Sequence, residues 1–545
     1  RFQKKEARKK RAQEQPEHTF ASPEAAYAFY AAASGTRLRL LVSTLLCLGS
    51  VLLLVLSTPL ITGAFSDHAA VFSAAMLGLL LLQAVCSYDV CLSGVIALLR
   101  FRFDQYSMLF LALCAVVADA FFAVAEGRTP FCTVASILLL LALWGRDLLY
   151  DARRRSLRAI SNMDEPVAAI REEKAWHGYD CIFRAPGDAE QFAVQLEMPD
   201  AGSRIMRVWA PVMTAVTLAL SVLTSLRTGE HFLWAWSAML LASFPAGILI
   251  AYAKPFSALA RRLYRAGAAI AGWQGARILS GEAGLIVEDA DLFPPQNVTQ
   301  GGMKLYGSRP APMVIGYANA VVQTAGSGLV PLFEQMMHDQ NGRRYTVDTF
   351  RRYEGGGLGA TIRGDVVLMG SIAFMKLMRV RVPEGTRLKQ AVYLSVNGEL
   401  TAVFALNYAP AESVRAGLSA VLRAGSLVPV LATRDFMITP QFLKLRYKIP
   451  PEHIEFPIVE ERARLSSQEI PRTGPQGALM ARSSFASFAG SVVAARGLRS
   501  TAILCICIAL VGSILGAGLM FVLTFLGADL AASCWNLFLY TALWL

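Results

Sequence analysis

Apolar residues in this chain gather into long unbroken runs instead of alternating with polar ones or recurring on one helical face. About eight such runs stand out: 38–64, 69–99, 105–125, 130–148, 205–226, 231–254, 500–524 and 528–545. A helix needs about 20 mostly apolar residues to cross a bilayer, and in lipid only a helix satisfies its own backbone. The pattern therefore predicts paired membrane spans. Between the third pair and the last lies one large polar region, 257–498.

The chain has 545 residues, 54% of them hydrophobic and only 17% charged, which excludes an ordinary soluble protein. Its net charge of +12 invites a nucleic-acid reading, but the placement of that charge argues against one. Lys4, Lys5, Arg8, Lys9, Lys10 and Arg11 precede the first span. Arg100 and Arg102 lie between the second and third, Arg153, Arg154, Arg155 and Arg158 follow the fourth, and Arg261, Arg262 and Arg265 follow the sixth. The alternate loops carry little beyond Arg128 and Arg227. This is the positive-inside pattern. It predicts an integral membrane protein, of the cell membrane, with both termini and the large polar region cytoplasmic. The expected partners are the lipid bilayer, anionic lipids through the basic tail, and a protein partner in the membrane, with no nucleic acid. The nine cysteines fall mostly in spans, which excludes a disulfide framework.

The predicted organisation follows. Residues 1–37 form a basic, mobile tail, 38–149 four spans, 150–204 a cytoplasmic loop, 205–256 spans five and six, and 499–545 the last two spans. Within the polar region, Gly284 to Val287 reads as a buried strand ending in Glu288-Asp289-Ala290-Asp291. Tyr393 to Tyr408 reads as two strands around an Asn397-Gly398 turn. Ala409 to Ala424 reads as a helix with Pro410 near its start and Gly425 past its end. Leu427 to Ala432 reads as a further strand, followed by Thr433-Arg434-Asp435. Strand, helix and strand in this order predict a parallel α/β sheet, whose ligands gather at the carboxyl ends of its strands. That places Asp289, Asp291, Thr433 and Asp435 together as candidate catalytic residues.

This order of parts resembles the heavy-metal-transporting P-type ATPases. The resemblance implies an α-helical polytopic membrane protein of about eight spans. Its cytoplasmic α/β domain would be of the haloacid-dehalogenase type (257–299 and 391–498) and interrupted by an α+β nucleotide-domain-like insertion (300–390). Residues 150–204 would be a truncated actuator-like loop. Ser243-Phe244-Pro245-Ala246-Gly247-Ile248 is similar to the family's Cys-Pro-Cys transport motif, with the proline kept and both cysteines gone. Val287 to Pro294 is similar to its DKTGT segment and aligns Asp289 with the phosphorylated aspartate. Asp289-x-Asp291 also resembles the acid pair of the related phosphatases. Leu431 to Asp435 is similar to LTGD, with Arg434 in place of glycine. Arg462 or Arg464, after Pro457, stands in for the following lysine. Gly355-Gly356-Gly357-Leu358-Gly359 with Gly364-Asp365 resembles the nucleotide loop, which makes Gly357, Gly359 and Gly364 candidate nucleotide-binding residues. Val330-Pro331 stands where the family has His-Pro.

Other parts of the pattern are missing. The stretch expected to match GDGxND reads Gly474-Pro475-Gln476-Gly477-Ala478-Leu479, and no Asp or Glu occurs between Glu469 and Asp529. No TGES occurs in 150–204. Phosphoryl transfer relies on metal ions for charge neutralisation, so ATP and Mg²⁺ are implied as cofactors only where activity survives. In the membrane, Asp89 and Asp119 join Pro245 as candidates for a transport path, since intramembrane acids are costly. No metal-binding residues are assigned, and the cysteines, Cys505 and Cys507 included, read as packing residues.

Three functions fit. The first is a non-pumping pseudo-ATPase with a regulatory or scaffold role, favoured because actuator loop, metal carboxylates and transport cysteines are absent together. The second is a divergent ATP-driven cation transporter phosphorylated on Asp289. The third is a membrane-anchored phosphatase of the haloacid-dehalogenase type.

Overall fold

A computed structural model of the chain describes residues 16–33, 37–57, 68–229, 231–383, 390–528 and 530–545. The basic cluster Lys4 to Arg11 lies outside the described residues. Among the described residues six helices are long and apolar enough to cross a membrane, and three shorter apolar helices accompany them. This is an integral membrane protein with a separate, sheet-containing polar region.

Two of the predicted spans are broken. The run 69–99 divides at Ser87 into Ala69–Cys86 and Tyr88–Leu99. Arg39 covers the break: its guanidinium donates to the Cys86 carbonyl at 2.7 Å and to Asp89 at 2.6 Å. The run 231–254 divides into Phe232–Ala242, a short turn at Ile248–Ala251, and the amphipathic helix Ala253–Arg265. The seventh span is part of one unbroken helix, Phe485–Phe525. Its first half packs Phe488, Val492 and Ala495 into the polar region's core, and its second half packs Ile506, Ala517 and Met520 into the membrane core.

Part of the basic tail is helical. Helix Pro23–Ala33 docks on the extended end of helix Cys132–Ser161. Tyr30 is fully buried and donates to Glu197 at 2.7 Å, while buried Arg153 pairs with Glu197 at 3.3 Å and with Glu17 at 2.7 Å. Burial of an arginine is tolerated because two carboxylates share it.

Twelve strands form two sheets. They are β1 (Val167–Trp176), β2 (Tyr179–Pro186), β3 (Ala268–Ile270), β4 (Ala283–Val287), β5 (Val298–Leu305), β6 (Thr349–Tyr353), β7 (Gly357–Ile362), β8 (Asp365–Gly370), β9 (Ala391–Val396), β10 (Glu399–Tyr408), β11 (Leu427–Leu431) and β12 (Gln476–Met480). The first sheet has the order β11-β4-β2-β1-β12-β3. β4 is buried at every position and lies parallel to both neighbours, as a central α/β strand should. Gly284 permits the close fit, since a Cβ there would stand 2.8 Å from Val430 and 3.2 Å from Cys181.

Two expectations are corrected here. Residues 150–204 do not form a separate truncated loop: β1 and β2 enter the main sheet, between β4 and β12. The hairpin is tied there by Arg171, which pairs with Asp180 at 2.8 Å and reaches the carbonyls of Ile278 and Ser280 ahead of β4. The hairpin Tyr393–Tyr408, expected in the α/β part, is β9–β10 of the second sheet, ordered β5-β10-β9-β8-β7-β6 and antiparallel throughout. The insertion therefore spans 298–408 instead of 300–390. Its helices Ala311–Ala325 and Val330–Asp339 pack on this sheet, with Phe333 edge-on to Phe404 at 5.2 Å.

Candidate functional site

β4 and β11 end side by side and bring Asp289, Thr433 and Asp435 together, in line with the strand pattern. Asp289 accepts three kinds of backbone hydrogen bond: from Gly328 at 2.8 Å, from Arg434 at 3.0 Å and from Asp435 at 3.2 Å. The Gly328 amide comes from the insertion, and a Cβ on Gly328 would lie 2.7 Å from that of Asp289. The insertion's backbone thus rests directly on the acid, which is only 8% exposed. Asp435 accepts from the Tyr408 hydroxyl at 2.7 Å and from the Met437 amide at 2.9 Å. Burial, and then the neighbouring Asp435, push Asp289 up to about 7, and burial pushes Asp435 up to about 6.

Asp291 is bound differently. The guanidinium of Arg184, on β2, grips its carboxylate with contacts of 2.5 and 2.7 Å, and the Glu288 amide donates to it at 2.8 Å. Arg184 also lies 3.5 Å from Glu288 and over the Phe488 ring. Burial raises Asp291 to about 7 against the pull of Arg184. Arg184 pairs with this carboxylate, but its Oδ1 makes no hydrogen bond among the described residues. No motif marks Arg184. The one sequence signal for it is the strand-like character of the 167–186 segment.

Thr433 is buried, and its hydroxyl has no hydrogen-bond partner among the described residues. It borders a narrow cleft of about 50 Å³ with Arg352, Arg434, Arg462, Gly356 and Gly357. Of the two arginines expected to replace the family lysine, Arg462 turns to this cleft and reaches the Thr433 carbonyl at 3.4 Å. Arg464 points away, to the Ala175 carbonyl. The cleft is far below the 300 Å³ or so of a small-molecule pocket. The three candidate nucleotide glycines have local roles. Gly357 gives way to the Phe374 ring, Gly359 lies against Tyr353, and Gly364, at φ +83°, completes the β7–β8 turn. Arg352 donates to the Ala325 carbonyl across the same region. Aromatic rings thus lie against two of the three glycines, while Gly364 faces open space.

Among the described residues no group of three or more His, Cys, Asp or Glu is arranged to hold a metal. Asp291 is paired with Arg184, which leaves Asp289 and Asp435 as the carboxylates that could contribute to a Mg²⁺ site. In the membrane, each candidate is also satisfied. Asp89 pairs with Arg39, and Asp119 is fully buried against Arg128 at 2.5 Å. The break at Pro245 is closed by helix Phe485–Phe525: Ser513 donates to the Ser243 carbonyl and accepts from Trp209 at 3.1 Å.

No family model matches the chain, and no curated protein matches it. Several solved structures do. A zinc-transporting PIB-type ATPase in an E2·Pi state is 14% identical, with 93% of this chain and 97% of that one covered at a TM-score of 0.47. A second structure of a zinc-transporting PIB-type ATPase, in a different E2 state, gives 15%, 92%, 98% and 0.43. The N-domain of a copper-transporting P-type ATPase is 17% identical over 20% of this chain and 99% of its own, with a TM-score of 0.18. All three scores lie below one-half, so the functional reading rests on the residues themselves.

Proposed function

We propose that this protein is a degenerate relative of the heavy-metal P-type ATPases that does not pump, and that it serves a regulatory or scaffold role in the membrane. The observation that carries this reading is the Arg184–Asp291 pair. It fixes β2 beside β4, so the loop that a pump must swing freely is part of the sheet it would act upon. Three further features support it: Gly328 covers Asp289, aromatic rings pack against Gly357 and Gly359, and the Pro245 break is closed by Ser513. Cytoplasmic placement of the sheets and termini, a cell-membrane location, anionic-lipid contact by the basic tail and a protein partner in the membrane belong to the same reading.

A second reading has one observation in its favour. The unpartnered Thr433 hydroxyl, beside Asp289 and a cleft lined by three arginines, suits a phosphoryl group. The test is phosphoenzyme trapping on the purified full-length protein with ATP and Mg²⁺, using Asp289→Asn as control. No acid-stable label is expected. A hydroxylamine-sensitive label that vanishes in Asp289→Asn would replace this proposal with a working transporter. Mg²⁺-dependent hydrolysis of a small phosphoester, lost in the same variant, would replace it with a phosphatase.

A further inference from the structure

The insertion carries a second cavity, remote from Asp289 and larger than the cleft there. It encloses about 410 Å³, within the range of small-molecule sites. It forms because Gly316 lets residues 343–345 approach the helix Ala311–Ala325 closely, and a Cβ at Gly316 would stand 2.8 Å from the Tyr345 ring. Its floor is Asn319, 5% exposed, whose amide oxygen has no hydrogen-bond partner among the described residues. A buried amide oxygen without a donor is costly, so such a group calls for one. Arg344 and Arg363 stand at the wall with Tyr345, and the Arg363 guanidinium lies over the Tyr345 ring at 5.1 Å. Tyr345 is itself braced edge-on by Tyr317 at 4.7 Å. The nearby carboxylates are engaged elsewhere. Asp348 takes the Arg363 amide at 3.0 Å, Glu334 takes Gln323 at 2.8 Å, and Asp365 takes Tyr317 at 2.9 Å and Asn397 at 2.7 Å.

We infer that this cavity binds a small phosphate monoester. Its anionic end is held by Arg344 and Arg363, and a hydroxyl or amino group at its other end donates to the Asn319 amide oxygen. Two guanidiniums suit a phosphate dianion, and the orphaned acceptor asks for a donor that the organic part of a monoester can carry. The site is independent of the role assigned above to Asp289.

The test is calorimetric titration of the full-length protein in detergent with glucose 6-phosphate, AMP and inorganic phosphate. Saturable one-to-one binding of glucose 6-phosphate or AMP is expected, at least tenfold tighter than inorganic phosphate. The two organic probes distinguish a sugar phosphate from a nucleotide source. Arg344→Gln/Arg363→Gln should weaken binding by tenfold or more, as should Asn319→Leu, at about 1.4 kcal/mol per decade. Lys376→Gln, at an exposed position outside both sites, serves as the folded control and should leave binding unchanged. Absence of saturable binding by both organic probes overturns the inference, as does binding that survives both cavity variants or is lost in Lys376→Gln.

Discussion

Arg184→Met isolates the contact on which the proposed function depends. The substitution keeps an apolar side chain of similar reach but removes the guanidinium from over Phe488 and leaves the Asp291 carboxylate, 2% exposed, without its cation. Removing one partner of a buried pair costs about 3–5 kcal/mol, because the remaining charge stays buried. The loss should be local to β2 and its neighbours. Hydrogen exchange at the amides of Tyr179–Pro186 reads it directly, and exchange there should accelerate by roughly 10²–10⁴, at about 1.4 kcal/mol per decade. The pH dependence has a definite sign. Without Arg184, Asp291 would titrate above its present value of about 7, while in the unfolded chain it titrates near 3.8. A carboxyl raised on folding binds more protons in the folded state, so both proteins lose protection alike between pH 3.8 and about 7, and the variant's extra deficit opens above pH 7, by up to about 1.4 kcal/mol per unit. The gap between Arg184→Met and the parent should therefore be wider at pH 8.5 than at pH 6. Adding Asp291→Leu should restore most of the protection, since replacing both partners is close to neutral. Parent-like exchange in Arg184→Met at pH 7, or no recovery in the double variant, would refute the reasoning.

Gly328→Ala should destabilise the covered acid by about 1–3 kcal/mol, because the new methyl meets Asp289 at 2.7 Å and the insertion must lift. Its melting midpoint, with the exposure of Asp289 to a water-soluble carbodiimide, checks this. Asp289 is itself raised on folding to about 7, so its contribution to stability is fully present below pH 3.8 and is lost as pH rises through 7. The melting midpoint of the parent should therefore fall more steeply between pH 5 and 8 than that of Asp289→Asn. Ser513→Ala frees the Ser243 carbonyl beside Pro245 and should lower thermal stability by about 1–3 kcal/mol without affecting the sheets, which exchange at β4 and β12 will report.

The sequence carried the membrane spans well, because an apolar run long enough for a bilayer would be too costly to leave in water. It also carried β4, β11 and the meeting of Asp289 with Asp435, since a buried strand ending in acids is a local signal. It did not carry the placement of β1 and β2. Their strand character is local, but their choice of neighbours depends on β12 and on the Arg171 clamp. Nor could it assign Tyr393–Tyr408 to the right sheet, because an antiparallel hairpin fits either one until β5 and β8 are placed. Gly357 and Gly359 illustrate a further limit. A glycine cluster reads equally as a phosphate cradle or as room for an aromatic ring, and here Phe374 and Tyr353 take the space.

The interleaving of β1 with β12 also shapes how the molecule is made. Val167 and Met480 are paired neighbours, yet about three hundred residues and two membrane spans separate them in the chain. At roughly 5–20 residues per second, β1 waits some 15–60 s after its own synthesis before that partner exists. Through that interval the β1–β2 hairpin presents an open edge at the membrane surface, where another nascent strand could pair with it. The outer half of β1 reads Arg171-Glu172-Glu173-Lys174, a run of mixed charges poorly suited to such pairing. That charged run lies just beyond Val167-Ala168-Ala169-Ile170, the apolar stretch that waits for β12.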